Sequence, residues 1–215
     1  LTEGRVTVNG AAARLGDKAD PETDAIAVDG QPLTFAETMV YLMLNKPRGY
    51  VTTLSDELGR ATAAQLVADC GVRVFPVGRL DKDSEGLLLF TNDGALMQAM
   101  THPRHQVDKT YEVTVSGTLD GAAERLSAVD ELDGEPIVPA QVTQVWRRGG
   151  QALLLVTIHQ GKNRQIRRMC AKVDLQVMRL RRIAEDTLTL GSLPPGQWRY
   201  LTEAEVSALK GSERE

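Results

Sequence analysis

Ile137-Val138-Pro139-Ala140-Gln141-Val142-Thr143-Gln144-Val145-Trp146-Arg147-Arg148-Gly149-Gly150-Gln151-Ala152-Leu153-Leu154-Leu155-Val156-Thr157-Ile158-His159 decides the class of fold. It reads as two strands, 137–146 and 152–159, too close together for a crossover helix, so they pair antiparallel. Working outward, further strand signals fall at 40–44, 74–77, 86–91, 110–116, 176–182 and 187–190. Helical signals fall at 61–69, 94–100, 119–128, 163–173 and 202–209, the last opened by the capping sequence Thr202-Glu203-Ala204-Glu205. Strands and helices do not alternate regularly, which excludes a doubly wound sheet and predicts an α+β fold: a largely antiparallel mixed sheet flanked by helices.

Residues 1–35 carry short β signals broken by turns, Val6-Thr7-Val8-Asn9-Gly10 and Ile26-Ala27-Val28-Asp29-Gly30, and predict a small N-terminal β module. Residues 36–209 form the main domain and 210–215 a polar tail. The 215 residues, 42% of them hydrophobic, suffice for one sizeable core without disulfides or a structural metal. The longest apolar runs, such as 86–90 and 152–156, are far short of the roughly 18–20 residues of a membrane span. No secretory leader opens the chain, and Cys70 and Cys170 lack a partner motif, so two inert thiols in a reducing cytoplasm are expected.

The net charge of −4 argues weakly against a nucleic-acid partner, but its distribution reverses that reading. Segment 141–182 holds ten basic residues against the single acid Asp174, a balance of +9 that leaves −13 for the rest of the chain. Such a segment reads as an anion-binding face or as a solvated helix face, and it has few acids of its own to pair with.

Three features carry possible chemistry. Loop Gly78-Arg79-Leu80-Asp81-Lys82-Asp83-Ser84-Glu85-Gly86 places three carboxylates between two apolar strands, as turn and capping groups or as functional ones. Asp81, after Leu80, is the better placed for partial burial, with Asp83 and Glu85 in solvent. In 163–173, helical spacing puts Ile166, Met169, Cys170 and Val173 on one face and Arg164, Arg168 and Lys172 on another, with Arg167 at the boundary. There Arg167 can pair with a buried carboxylate or snorkel to solvent. Alternation in 109–115 sets Lys109, Tyr111 and Val113 on one face, where Tyr111 packs or stacks on a base. His102, His105 and His159 lack ligand spacing, so no metal is expected.

Gly78-Arg79-Leu80-Asp81-x-x-Ser84-x-Gly86-Leu87-Leu88, Lys109-x-Tyr111 and Arg164-Gln165-Ile166-Arg167-Arg168-Met169 together resemble the bacterial ribosomal RNA pseudouridine synthases, in the branch that modifies the small-subunit uridine and single large-subunit uridines. Leu44-Asn45-Lys46-Pro47-x-Gly49, Leu180-x-Arg182-Ile183 and Pro195-Gly196-x-Trp198-Arg199-x-Leu201-Thr202 match the same pattern, over residues 40–206. The resemblance implies that Asp81 is the catalytic aspartate, Tyr111 the residue against the target base and Arg167 the basic partner of Asp81. It implies an apolar floor from Leu180 or Ile183, and a reaction without cofactor or metal. The base must be flipped out of folded RNA, with the basic segment on phosphates. Arg79, Lys109, Lys162, Arg164, Arg168, Arg179 and Arg182 are the expected RNA contacts.

The expected partner is ribosomal RNA or a ribosome assembly intermediate, bound by a monomer, with the large subunit favoured and the small subunit as alternative. An inactive rRNA-binding assembly factor is a rival reading, and a carboxylate-dependent glycoside hydrolase another, though only Trp146 and Trp198 are available as sugar platforms. The N-terminal piece resembles the β half of the RNA-binding module of the fourth small-subunit ribosomal protein. The helices that lead that module do not precede it here, so residues are expected to be missing upstream.

Overall fold

The computed structural model describes residues 4–20, 23–33 and 38–211, in two compact units, 1–39 and 40–215. In the first, β1 (Val6–Val8), β2 (Ala11–Ala12), β3 (Ile26–Val28) and β4 (Gln31–Pro32) form an antiparallel sheet of order β2-β1-β3-β4. Both hairpins turn on pairs with positive φ, Asn9-Gly10 and Asp29-Gly30, the turn whose twist matches its flanking strands. The three-residue strands β1 and β3 are half-buried throughout.

The second unit runs β5 (Tyr41–Lys46), a 3-10 helix (Ala63–Cys70), β6 (Phe75–Val77), β7 (Glu85–Thr91), α1 (Gly94–Thr101), a 3-10 turn (Pro103–His105), β8 (Lys109–Gly117) and α2 (Ala122–Ser127). It continues through β9 (Glu131–Leu132), β10 (Glu135–Pro136), β11 (Gln141–Arg148), β12 (Gln151–Ile158), α3 (Gln165–Lys172), β13 (Leu175–Glu185), β14 (Leu188–Thr189), β15 (Trp198–Tyr200) and α4 (Glu203–Gly211). The large sheet has the order β11-β12-β8-β13-β7-β5-β15, with β6 added to β7 and β14 to β13. Its pairings are antiparallel except β13 with β7, so the fold is the expected α+β one with a mixed, largely antiparallel sheet.

Strand position explains the two sequence patterns. On β5 and β7, Leu42, Leu44, Leu88 and Phe90 face one core while Met43, Leu87 and Leu89 face another. Strands covered on both faces read as continuous apolar runs. On β8 and β12 every second residue is buried, the alternation of strands covered on one face. α3 seals that face through Ile166, Met169 and Cys170, and burial pushes the Cys170 thiol up to about 12.

Several elements differ from expectation at their ends. β11 begins at Gln141 rather than 137, because the Ile137 amide donates to Asp130 and Pro139 has no donor. The helix signal at 61–69 becomes a 3-10 helix, closed by Gly71 in the left-handed region. Lys210 and Gly211, expected in the polar tail, belong to α4, where Lys210 reaches Asp93, the N-cap of α1, at 3.0 Å. The rest of that tail lies outside the described residues. Among the described residues no helix is long and apolar enough to cross a membrane.

Candidate active site

Loop 78–84 connects β6 to β7, and its backbone is held from three sides. Lys46, at the end of β5 and fully buried, donates from Nζ to the carbonyls of Pro47 (3.1 Å), Asp81 (3.1 Å) and Ser84 (2.7 Å). The Thr52 hydroxyl donates to the Leu80 carbonyl at 2.7 Å, and the Gly49 amide to the Lys82 carbonyl at 2.8 Å. Burial pulls the Lys46 ammonium down to about 8 against the opposing pull of Asp81, Asp83 and Glu85. Beyond the loop, β13 approaches so closely that a Cβ on Gly86 would stand 2.1 Å from the Arg182 carbonyl oxygen. Gly86, at φ +107°, is the residue type that permits this parallel pairing.

Asp81 lies where two cavities meet. One, of about 760 Å³, is lined by Leu80, Asp81, Lys109, Tyr111, Leu180, Arg182 and Glu185 among others. The other, of about 1070 Å³, is lined by Arg48, Arg60, Arg79, Lys82 and Arg164 with Asp81, Asp83 and neighbours. Arg79, Leu80, Asp81 and Arg164 border both. The Asp81 side chain is 29% exposed, against 39% for Asp83, while Glu85, expected in solvent, is 13% exposed because Arg179 covers it with two hydrogen bonds.

The charged partners differ from the expected pair. Arg164 reaches Asp81 at 3.5 Å and binds both oxygens of Asp83, at 3.0 and 3.1 Å. Arg167 turns to Asp83 instead of Asp81, 3.3 Å from its carboxylate, and donates to its carbonyl at 3.0 Å. The Arg164 hydrogen bonds hold the Asp83 carboxyl below the usual range, and burial lowers the Arg167 guanidinium. The reason lies at the start of α3: Arg164 adopts φ 48°, ψ 32° outside the first turn, which aims it across the loop, while Arg167 stays on the helix flank.

Tyr111 is buried on β8 in the first cavity, on the face shared with Lys109 and Val113, as alternation predicts. Leu180 lines the same cavity. Ile183, the other expected floor residue, does not, since the register of β13 shifts between Arg182 and Ala184 and leaves it unpaired. Arg182, expected on RNA, is buried: its Nε donates to the Leu87 carbonyl at 2.7 Å, and its Nη2 lies 3.2 Å from Glu185. Lys109 is largely covered and lies 4.0 Å from Glu185.

The basic segment is also not bare. Arg147 pairs with Asp120, Lys162 with Glu135, Arg168 with Asp133, Lys172 with Glu131, Arg179 with Glu85 and Arg181 with Glu112. Every one of these acids comes from outside 141–182. Lys46, Thr52 and Glu185 were missed by the sequence reading. Lys46 offered one signal, a cation closing an apolar strand, whereas Thr52 and Glu185 offered none. Among the described residues, no three His, Cys, Asp or Glu side chains converge to hold a metal ion.

A cavity lined by Tyr111, a carboxylate at its edge and an arginine-lined groove beyond are features with which an enzyme can take one nucleotide from a nucleic-acid strand. Residues 40–172 match the RNA pseudouridylate synthase family. An RNA pseudouridine synthase of Aquifex aeolicus is 40% identical over 97% of this chain and 85% of its own length. The ribosomal large subunit pseudouridine synthase B of Bacillus subtilis is 35% identical over 98% and 87%. A crystal structure of a pseudouridylate synthase superposes with a TM-score of 0.71 at 31% identity, covering 96% of this chain and 89% of that one. The chain belongs to this family and is an RNA pseudouridine synthase, an isomerase.

Proposed function

We propose that the protein converts a single uridine of large-subunit ribosomal RNA to pseudouridine, with Asp81 acting on the ribose of a flipped nucleotide and Tyr111 against its base. The observation that carries this reading is the place of Asp81 at the junction of a Tyr111-lined cavity and a more open, arginine-lined groove. The cavity admits a base and the groove a phosphodiester strand, so the sugar between them meets the carboxylate. In the reaction the C1′–N1 bond breaks, the uracil turns, C1′ bonds to C5, C5 loses its proton and N1 gains one. Arg164 and Arg167 hold the loop through Asp83, and Lys46 fixes its carbonyls, so Asp81 meets the sugar without reorganisation. The Bacillus subtilis relative, named for the large subunit, supports the choice of subunit. The small N-terminal sheet is read as the β part of an RNA-binding module.

Pseudouridine mapping of both ribosomal RNAs, naked and in assembly intermediates, tests this after incubation with the protein or with Asp81→Asn. One new site in large-subunit RNA, absent with the variant, is expected. A site in small-subunit RNA would overturn the choice of subunit, and turnover by Asp81→Asn would overturn the role of Asp81.

A further inference from the structure

The hairpin β9–β10 carries an alternating run of acids, Glu131, Asp133 and Glu135, to which the reaction assigns no role. It turns on Asp133-Gly134, both at positive φ, and its ends are pinned by Leu132 and Ile137, which are buried in the main core. Each acid meets one cation of α3 or of the residues leading into it. Glu135 is 2.9 Å from Lys162, Asp133 is paired with Arg168, and Glu131 lies 3.8 Å from Lys172. Arg168 and Lys172 are one helical turn apart and share a flank with Arg164. The row starts at the rim of the Tyr111 cavity, which Lys162, Asn163 and Arg164 line, and leaves it along α3.

The carboxylates form the outer layer. The side chains of Asp133 and Glu135 are 81% and 74% exposed, against 33% and 30% for the Arg168 and Lys162 they cover. Pairs so exposed add little to stability, and two apolar anchors already hold the hairpin. The cations keep their places without the acids: Lys162 also donates to the Pro136 carbonyl at 3.2 Å, and Arg168 to the Asn163 carbonyl at 3.3 Å. A carboxylate presented in this way has the charge and the acceptor oxygens of a backbone phosphate, and it sits where a strand leaving the cavity along α3 would place one. Fixed to the protein, it competes as an intramolecular ligand, so a phosphate of loosely held RNA is at a disadvantage. A phosphate on a strand already anchored in the cavity competes on equal terms.

We infer that the hairpin β9–β10 is an internal phosphate mimic: Asp133 and Glu135 keep the α3 cations closed to RNA until a nucleotide is seated in the Tyr111 cavity, and the strand then displaces them. The hairpin thereby lowers affinity for RNA that offers no target. This rests on the reading of that cavity as the seat of the flipped nucleotide.

The test measures binding of a fluorescent oligoadenylate, which has no uridine to flip, to the full chain over a series of salt concentrations. The variant Asp133→Asn/Glu135→Gln keeps the turn, since asparagine accepts positive φ, and neither residue lines a cavity. It is expected to bind about tenfold more tightly than wild type, with a log–log salt slope steeper by about 1.4, the size of two further single-strand phosphate contacts. Glu124→Gln/Glu203→Gln removes equal charge from α2 and α4 and is expected to stay within twofold of wild type. Adding Lys162→Gln/Arg168→Gln to the hairpin variant should abolish the gain. Asp133→Asn alone should give half the change in slope, and because each expected change is a gain, loss of fold cannot imitate it. The mapped ribosomal RNA, whose strand takes these cations in wild type too, should keep its slope. Wild-type affinity and slope in both hairpin variants, an equal gain in the α2 and α4 variant, or equal steepening with the mapped RNA would overturn the inference. The reading of the cavity fails separately, by full turnover of ribosomal RNA with Tyr111→Ala or Asp81→Asn, since oligoadenylate is not turned over.

Discussion

The Asp81 loop and the basic segment 141–182 meet along one cavity wall through Lys162, Arg164 and Arg182, and both are dense in charge, but their charges are held in opposite ways. The loop is fixed through its backbone, with the buried Lys46 and Thr52 on carbonyls of Pro47, Leu80, Asp81 and Ser84. The Asp81 carboxylate is thereby left to the cleft. In the basic segment the side chains themselves are engaged, by acids that arrive from β7, β8, β9, β10 and the turns beside them. Charge that is adjacent in sequence is therefore a poor measure of charge offered to a ligand. Exposed ion pairs contribute only about 0.2–1 kcal/mol each, so a phosphate can displace these carboxylates at little cost, whereas nothing at the surface competes for Lys46.

This contrast breaks most visibly at the loop. Asp81→Asn should abolish turnover and leave RNA affinity within about threefold, read by mapping and by filter binding; loss of affinity instead would make Asp81 a binding group. Lys46→Met should lower kcat about 10²-fold, the size expected when a reacting group moves by an ångström. Its effect on stability should be smaller, because methionine removes both the three hydrogen bonds and the cost of burying the ammonium. A variant as active as wild type would show that the loop holds itself.

The pH dependence of stability sharpens the same point. With its folded value about 8 against 10.5 unfolded, Lys46 binds its proton less tightly in the folded state. The unfolded chain then holds more protons between those values, so the contribution of this group to stability rises with pH from about 8 to 10.5. The whole change amounts to about 3 kcal/mol, and below pH 8 the full cost of the buried charge is present. Urea titrations of wild type minus Lys46→Met across that window should show the rise, and a flat difference would mean that the carbonyl cage offsets burial.

Smaller effects are expected where α3 meets the loop. If Arg167 acts through Asp83, then Asp83→Asn should reproduce most of the kcat loss of Arg167→Ala, and the double variant should add little. Additive losses would put Arg167 on Asp81 directly. Smallest of all, Arg168→Ala and Arg179→Ala should each change stability by under about 1 kcal/mol and lower the salt dependence of RNA binding by about one phosphate contact. An unchanged salt slope would confine the RNA to the open groove lined by Arg48 and Arg79.

What was legible in the sequence was whatever depends on near neighbours. Alternation placed Tyr111 and Lys109 on the covered face of β8, helical spacing placed Ile166, Met169 and Cys170 in the core, and the glycine-bounded loop singled out Asp81. The edges of β11 and of the 61–69 helix were blurred because tertiary hydrogen bonds and a proline set them.

Local pattern thus set the class of fold and singled out Asp81 and Tyr111, which line one cavity, since strand and helix periods and turn chemistry are local. Only the tertiary structure decided that Arg167 takes Asp83, that Arg182 is buried on Glu185 rather than offered to RNA, that Ile183 is out of the pocket, and that Lys46 clamps the loop. These contacts join residues up to 95 positions apart or depend on one bulge, and they follow from packing, which no local pattern encodes.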